Sequence, residues 1–83
     1  MINNHDIEAA YVNYKNMMMS HAIDQIGDLM TSEDIVQDVF VRVIEKKDEV
    51  EGATIKAFIM KLLSDTIKDY QKKSKEVLIL DLI

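Results

Sequence analysis

Side chains suited to polar recognition are concentrated near the middle of the chain. Three carboxylates, one amide and one guanidinium stand within ten positions: Glu33, Asp34, Gln37, Asp38 and Arg42. At about 100° per residue, a helix would place Asp34, Gln37 and Asp38 on one side. In an acidic chain, carboxylates at such spacing are more often a solvated face than a general acid and base. The cluster therefore predicts a polar helix surface rather than a catalytic site.

Other chemistries lack the residues that they require. The chain has no cysteine, which excludes disulfides, thiolate metal sites and cysteine nucleophiles. Its histidines, His5 and His21, are 16 positions apart, and no carboxylate at metal-ligand spacing would unite them on one face. No serine has a histidine at motif spacing, and neither a Glu-x-x-His pair nor a glycine-rich phosphate loop is present. We therefore expect a protein that is not an enzyme and uses no metal or cofactor.

An amphipathic helix at about 32–46 is expected to position the polar cluster. Thr31 is the predicted N-cap, with Asp34 three residues later as in a capping box. Val41 is an apolar residue in the middle of the polar side. The opposite half carries apolar residues at the spacing of a core-facing helix: Ile35, Val36, Val39, Phe40, Val43 and Ile44.

A first helix is predicted before this one, from about Asn4, its N-cap, to about Asp24. Its apolar residues recur at helical spacing, and His21 falls among them, which predicts a structural histidine. The three consecutive methionines 17–19 point in different directions on a helix, so that core filling explains them better than a ligand surface. The Gly27-Asp28 pair then connects the two helices.

A third helix is predicted from about Thr54 to about Lys73, with Phe58 on its apolar, core-facing stripe. The connection at 45–53 is rich in charge and should be a solvated loop. The expected fold class is all-α, a compact antiparallel bundle of three main helices at about 4–24, 32–46 and 54–73. The domain would occupy residues 1–75, followed by an apolar tail at 76–83.

Composition agrees with one small helical domain. The chain has 83 residues, of which 48% are hydrophobic and 30% charged, and it has no proline. This length supports a single modest core but not an additional deep substrate cavity. No apolar run approaches the roughly 18 residues of a membrane span, and the first residues lack a signal-peptide pattern. We therefore expect a cytoplasmic protein with no membrane partner.

Charge is distributed unevenly along the chain. Residues 1–52 carry four basic and eleven acidic side chains, a net charge of −7, whereas residues 53–75 carry six lysines and two aspartates, a net charge of +4. The third helix is therefore basic and the remainder acidic. Read from composition alone, its lysines are most simply a solvated face: Lys56, Lys61, Lys68, Lys72 and Lys73.

The last eight residues, 76–83, include six apolar ones, which should not stand in water at a chain end. Three arrangements are open for this tail. It could extend the third helix, fold back on the bundle, or pair with another chain as a homo-oligomer contact. A run this short does not distinguish them by periodicity.

The central motif resembles region 2 of bacterial sigma factors of the sigma-70 family, especially the extracytoplasmic-function group. That group carries a Gly-Asp turn and then (Glu/Asp)-Asp-(Leu/Ile)-Val-Gln-(Glu/Asp)-x-Phe-x-(Arg/Lys). Here Gly27-Asp28 precedes residues 33–42, Glu-Asp-Ile-Val-Gln-Asp-Val-Phe-Val-Arg. Residues 56–69, Lys-Ala-Phe-Ile-Met-Lys-Leu-Leu-Ser-Asp-Thr-Ile-Lys-Asp, are similar to the family's Arg-Ala-Trp-Leu-x-x-Ile-Ala-x-Asn-x-x-x-Asp segment. The resemblance covers about residues 8–81.

The resemblance implies a role in transcription initiation. In the family, the central helix docks on a coiled coil of the largest subunit of RNA polymerase, which implies docking residues Asp34, Gln37, Asp38, Val41 and Arg42. The third helix of the family contributes to recognition of the promoter −10 element. This implies nucleic-acid contacts by the third-helix lysines, which would neutralise phosphate: Lys56, Lys61, Lys68 and Lys72. An anti-sigma factor is a further partner that the family implies.

The chain departs from the family pattern where DNA is expected. Phe58 replaces the usual Trp, Asp65 replaces the usual Asn, and the loop before the third helix is rich in carboxylates, which repel phosphate. A second reading is therefore a sigma-like decoy or negative effector that docks on polymerase or on a sigma partner without reading promoter DNA. The tail resembles the start of the linker after region 2, which fits either an excised domain or a natural short protein.

Overall fold

The computed structural model describes residues 3–50 and 54–82 of the chain, with side chains described as far as residue 73. Three α-helices form the fold: α1 (Asn4–Ile26), α2 (Leu29–Glu45) and α3 (Ile55–Leu82). A short 3₁₀ helix, Lys47–Glu49, follows α2. Each α-helix packs against the other two, and the described residues contain no strand. The predicted all-α bundle of three main helices is confirmed.

α1 begins at Asn4, but its N-cap is Asn3, one residue before the predicted cap. Asn3 has extended backbone angles, and its side chain accepts the Asp6 backbone N–H at 2.9 Å. The Asn3 N–H in turn donates to the Asp6 carboxylate at 3.2 Å, which completes a capping box. The prediction of Asn4 as the cap is wrong, because Asp6 stands three residues after Asn3, the position that a capping box requires.

The boundary between α1 and α2 is made by two adjacent residues. Gly27 ends α1 with a left-handed backbone, φ 82°, and its N–H donates to the Ile23 carbonyl at 2.7 Å. Asp28 then caps α2, and its carboxylate accepts the Thr31 backbone N–H at 2.9 Å. Thr31 was predicted as the N-cap, and this is wrong. Its N–H is the donor that the Asp28 carboxylate binds, so that α2 begins at Leu29.

Apolar side chains from all three helices fill the core. Tyr11 on α1 meets Phe40 on α2 edge to face, with ring centroids 4.9 Å apart. Phe58 is half-buried against this core, as its position on the apolar stripe predicts. The largest apolar side chains that are fully buried come from each helix in turn: Met18 from α1, Ile35, Val36, Val39 and Val43 from α2, and Ile59 and Leu63 from α3.

Three residues predicted to face the core are exposed. Met17, for which core filling was predicted, keeps 37% of its surface in water. His21 is exposed, because Met18 and Ala22 occupy the inward positions of that turn of α1. Ile44 is 51% exposed, because Phe40 and Val43 fill the interior at the end of α2 and leave Ile44 at its rim. A bundle of three helices covers only a narrow stripe of each helix, so residues at the stripe's edge remain in water.

The connection after α2 is more ordered than the predicted solvated loop. It contains the 3₁₀ helix Lys47–Glu49, and Val50 is only 3% exposed and belongs to the core. Residues 51–53 of that predicted loop lie outside the described residues.

α3 continues through the predicted tail. Its backbone is helical to Leu82, which makes the predicted end near Lys73 wrong and shows that the tail extends the third helix. Pairing of the tail with another chain stays a prediction. Residues 74–82 contain no glycine or proline to stop the helix. None of the described helices has both the length and the apolar character that crossing a membrane requires.

Candidate functional site

The outward face of α2 carries the residues predicted to dock on a partner. Asp34, Gln37 and Val41 are exposed, and Val41 keeps 51% of its surface in water. Asp38 and Arg42 are half-buried. The helix cannot rotate about its axis to hide this face, because the opposite side is locked in the core by the fully buried side chains Ile35, Val39 and Val43.

Arg42 is engaged within the chain. Its Nη2 lies 3.5 Å from the Asp38 carboxylate on the same helix and 3.4 Å from the Asp69 carboxylate on α3. Arg42 therefore links two helices and also flanks the predicted docking residues Asp34, Gln37 and Val41, which we call the predicted docking face. Asp69 was not singled out in the sequence, because an ion pair between residues 27 positions apart depends on how the helices pack.

A shallow hollow of about 260 Å³ joins the docking face of α2 to α3. Burial raises the pKa of Tyr70, and the nearby charges of Asp38 and Asp34 raise it further. The hollow brings predicted docking residues together with a predicted nucleic-acid residue, since it is lined by Asp38, Arg42, Asp69, Tyr70, Lys72 and Lys73.

The predicted nucleic-acid residues do not form one patch. At about 100° per residue, Lys61, Lys68 and Lys72 share the side of α3 that faces away from the core. All three are exposed, and exposed Asp65 lies among them. Lys56 is also exposed but lies elsewhere, with its Nζ 6.0 Å from the centre of the Tyr14 ring on α1. The structure therefore groups three of the four lysines and separates the fourth.

Aromatic side chains suited to base stacking are scarce on the lysine side. The five aromatic residues of the chain all lie within the described range, and none is fully exposed. Phe58 is half-buried against the core, and Tyr70 is half-buried in the hollow beside Arg42. Asp48 and Glu49, on the connection before α3, are exposed carboxylates. This surface can attract phosphate through lysine, but it offers few rings for unpaired bases.

Among the residues with described side chains, no three histidine or carboxylate groups are close enough to hold a metal ion. The described residues form an exposed polar row on α2, an ion pair that links α2 to α3, and a lysine row on α3. Comparison of the chain with protein-family models, with curated protein sequences and with solved structures finds no match.

Proposed function

We propose that this chain is a sigma-factor region 2-like domain that binds core RNA polymerase and acts in the cytoplasm as a non-enzymatic transcription factor. The observation that carries the proposal is the arrangement of α2. Asp34, Gln37 and Val41 lie together on its exposed side, while Ile35, Val39 and Val43 on the opposite side are buried in the core. These are the positions to which the sequence resemblance assigns docking on the polymerase coiled coil.

The chemistry of this face suits a transient protein contact. A carboxylate and an amide flank an exposed valine, so that a small apolar centre is bordered by groups that hydrogen-bond a partner. Carboxylates also favour a basic partner surface and speed its approach. Arg42 contributes less to docking in this proposal, because Asp38 and Asp69 already bind it.

Promoter contact is the second part of the proposal. Lys61, Lys68 and Lys72 form an exposed row along one side of α3, which supplies positive charge for the phosphates of the −10 element. Lysines bind phosphate without sequence preference, so this row would position the domain on the promoter rather than select its sequence. The contact should strengthen when polymerase holds the promoter open.

A specific observation favours the alternative of a decoy or negative effector. Exposed carboxylates accompany the lysine row: Asp65 lies within it, and Asp69 is also exposed. Asp48 and Glu49 add negative charge before α3. A surface of mixed charge binds DNA weakly while the α2 face remains available. Such a protein would occupy polymerase, or a sigma partner, without reading a promoter.

Binding to purified core polymerase tests the docking assignment. The combined substitution Asp34→Ala with Gln37→Ala should weaken binding at least tenfold, about 1.4 kcal/mol. Asp24→Ala, which removes an exposed carboxylate from α1, is the matched control and should leave binding unchanged. Equal affinities for the wild type and the double variant, with helical content preserved by circular dichroism, would show that α2 is not the docking face.

Binding to a single-stranded −10 oligonucleotide separates the two candidates. If the domain contacts the promoter, it should bind the −10 sequence in preference to others and lose affinity steeply as salt rises. The triple variant Lys61→Ala, Lys68→Ala and Lys72→Ala should then bind more weakly than Lys15→Ala. The decoy reading expects polymerase binding with no oligonucleotide binding above that of an unrelated sequence.

A further inference from the structure

An apolar groove lies on the outside of α1 and α2, near the start of α1 and the end of α2. Its volume is about 450 Å³. Val12 and Ile44 stand on it with 76% and 51% of their surfaces in water. Exposed apolar surface of this kind often marks a contact with another molecule. Among the residues with described side chains, those that line the groove come from α1 and α2: Ile7, Glu8, Tyr11, Val12, Phe40 and Ile44.

The last part of α3 extends beyond the end of α1. Lys56 lies near Tyr14, and the Gln71 amide donates to the Gln25 carbonyl at 3.4 Å, so α3 runs in the same direction as α1. α1 ends one residue later, at Ile26. Residues 72–82 of α3 extend beyond that point by about 16 Å at 1.5 Å per residue.

The end of α3 leaves from the wrong side of the bundle to reach its own groove. Val12 lies 13 residues before Gln25 on α1, about 20 Å away at 1.5 Å per residue. Beyond Gln71, α3 continues away from Val12. Near the start of α2, Leu29 and Met30 are 57% and 76% exposed.

The composition of this segment matches the groove. Residues 76–83 include six apolar residues, and Lys72, Lys73 and Lys75 precede them. The groove belongs to the half of the chain that carries a net charge of −7, and Glu8 lines it. An apolar helix end preceded by lysines is therefore complementary to an apolar groove that carries one carboxylate, Glu8.

We propose that the C-terminal end of α3 in one copy of this chain docks in the α1–α2 groove of a second copy. Because each copy offers both the helix end and the groove, the two contacts form reciprocally and close a two-fold dimer. This association involves the outer side of α1 and the rim residue Ile44, and it stands or falls independently of polymerase binding.

Sedimentation equilibrium over a range of protein concentrations tests the dimer. The wild type should reach twice the 9.6 kDa mass of one chain. Val12→Glu in the groove, or Leu78→Glu with Ile79→Glu in the helix end, should raise the dissociation constant at least tenfold. Met30→Glu is the control, since this residue is equally exposed but lies at the other end of α2. A wild type that stays monomeric, or a dimer weakened by Met30→Glu and not by Val12→Glu, overturns the proposal.

Cross-linking locates the contact, because the chain has no cysteine of its own. Chains with Val12→Cys are mixed under oxidising conditions with chains carrying Leu78→Cys, Ile79→Cys or Leu80→Cys. At least one mixture should give a disulfide-linked pair of unlike chains in higher yield than a mixture with Met30→Cys. Yields no higher than that of the Met30→Cys mixture would show that the end of α3 does not bind in the groove.

Discussion

Arg42 on α2 bridges to Asp69 on α3 across 3.4 Å, while it also lies 3.5 Å from Asp38 on its own helix. The arginine at the edge of the proposed docking face is therefore tied to the helix that carries the lysine row. The two surfaces, one acidic and one basic, meet at this ion pair, and the Tyr70 ring lies beside it in the same hollow.

The Arg42–Asp69 pair should contribute little to stability. Its side chains are 30% and 56% exposed, and ion pairs with this access to water are typically worth about 0.2–1 kcal/mol. A double-mutant cycle of Arg42→Ala and Asp69→Ala, followed by urea unfolding, should give a coupling in that range that shrinks at high salt. A salt-independent coupling well above it would mean that the pair is less hydrated than its exposure indicates.

The Asp28 cap should make stability depend on pH at the acidic end. Hydrogen bonds from the Thr31 hydroxyl and then from the Thr31 backbone N–H hold the pKa of Asp28 below its ordinary value of 3.8. A carboxyl whose pKa is lower in the folded state stabilises the fold above its unfolded pKa, and this contribution is lost as pH falls through the folded pKa.

Asp28→Asn isolates this contribution, because asparagine also caps helices but does not titrate. In thermal unfolding followed by circular dichroism, the wild type should have a higher Tm than Asp28→Asn at neutral pH. The difference in Tm should shrink at pH values below 3.8. Asp28→Ala should be less stable than Asp28→Asn at neutral pH, since it also loses the acceptor for Thr31. A constant gap between wild type and Asp28→Asn across this range would contradict the assigned cause.

Thr66→Val should stabilise the protein. Thr66 is fully buried on α3, and its hydroxyl has no hydrogen-bond partner. Burying an unpaired polar group costs roughly 1–3 kcal/mol, and valine has nearly the same shape. We expect the free energy of unfolding to rise by about 1 kcal/mol in denaturant titrations. Thr66→Ser is the matched variant that keeps the hydroxyl and loses the methyl group, and it should be less stable than the wild type.

Gly27→Ala should destabilise the turn between α1 and α2 through the backbone alone. Gly27 has φ 82°, and an added Cβ would have open space with no neighbouring atom within 4 Å. The left-handed conformation costs an L-residue about 1–2 kcal/mol, so the free energy of unfolding should fall by about 1 kcal/mol. Gly27→Asn should lose less, because asparagine tolerates this region, whereas equal losses for both variants would point to a steric cause instead.

Helix periodicity predicted most of the fold. The helical spacing of apolar residues in α2 correctly predicted that Ile35, Val39 and Val43 are buried. It also left Val41 on the exposed side, because successive residues of a helix are rotated by a constant angle. The same rule placed the α3 lysines in water. The predicted cap of α2 was wrong because Thr31 and Asp28 are both good N-cap residues, and local composition does not rank two such candidates three positions apart.

What the sequence by itself determined is therefore the number of helices and the faces that they present. The resemblance added a hypothesis for α2, which stays a prediction. Only the tertiary structure decided that Arg42 meets Asp69, that Ile44 and His21 lie outside the core, and that α3 passes the end of α1. The physical reason is that periodicity sets the direction of a side chain about its own helix axis. Which neighbouring helix covers that side chain depends on packing between distant segments.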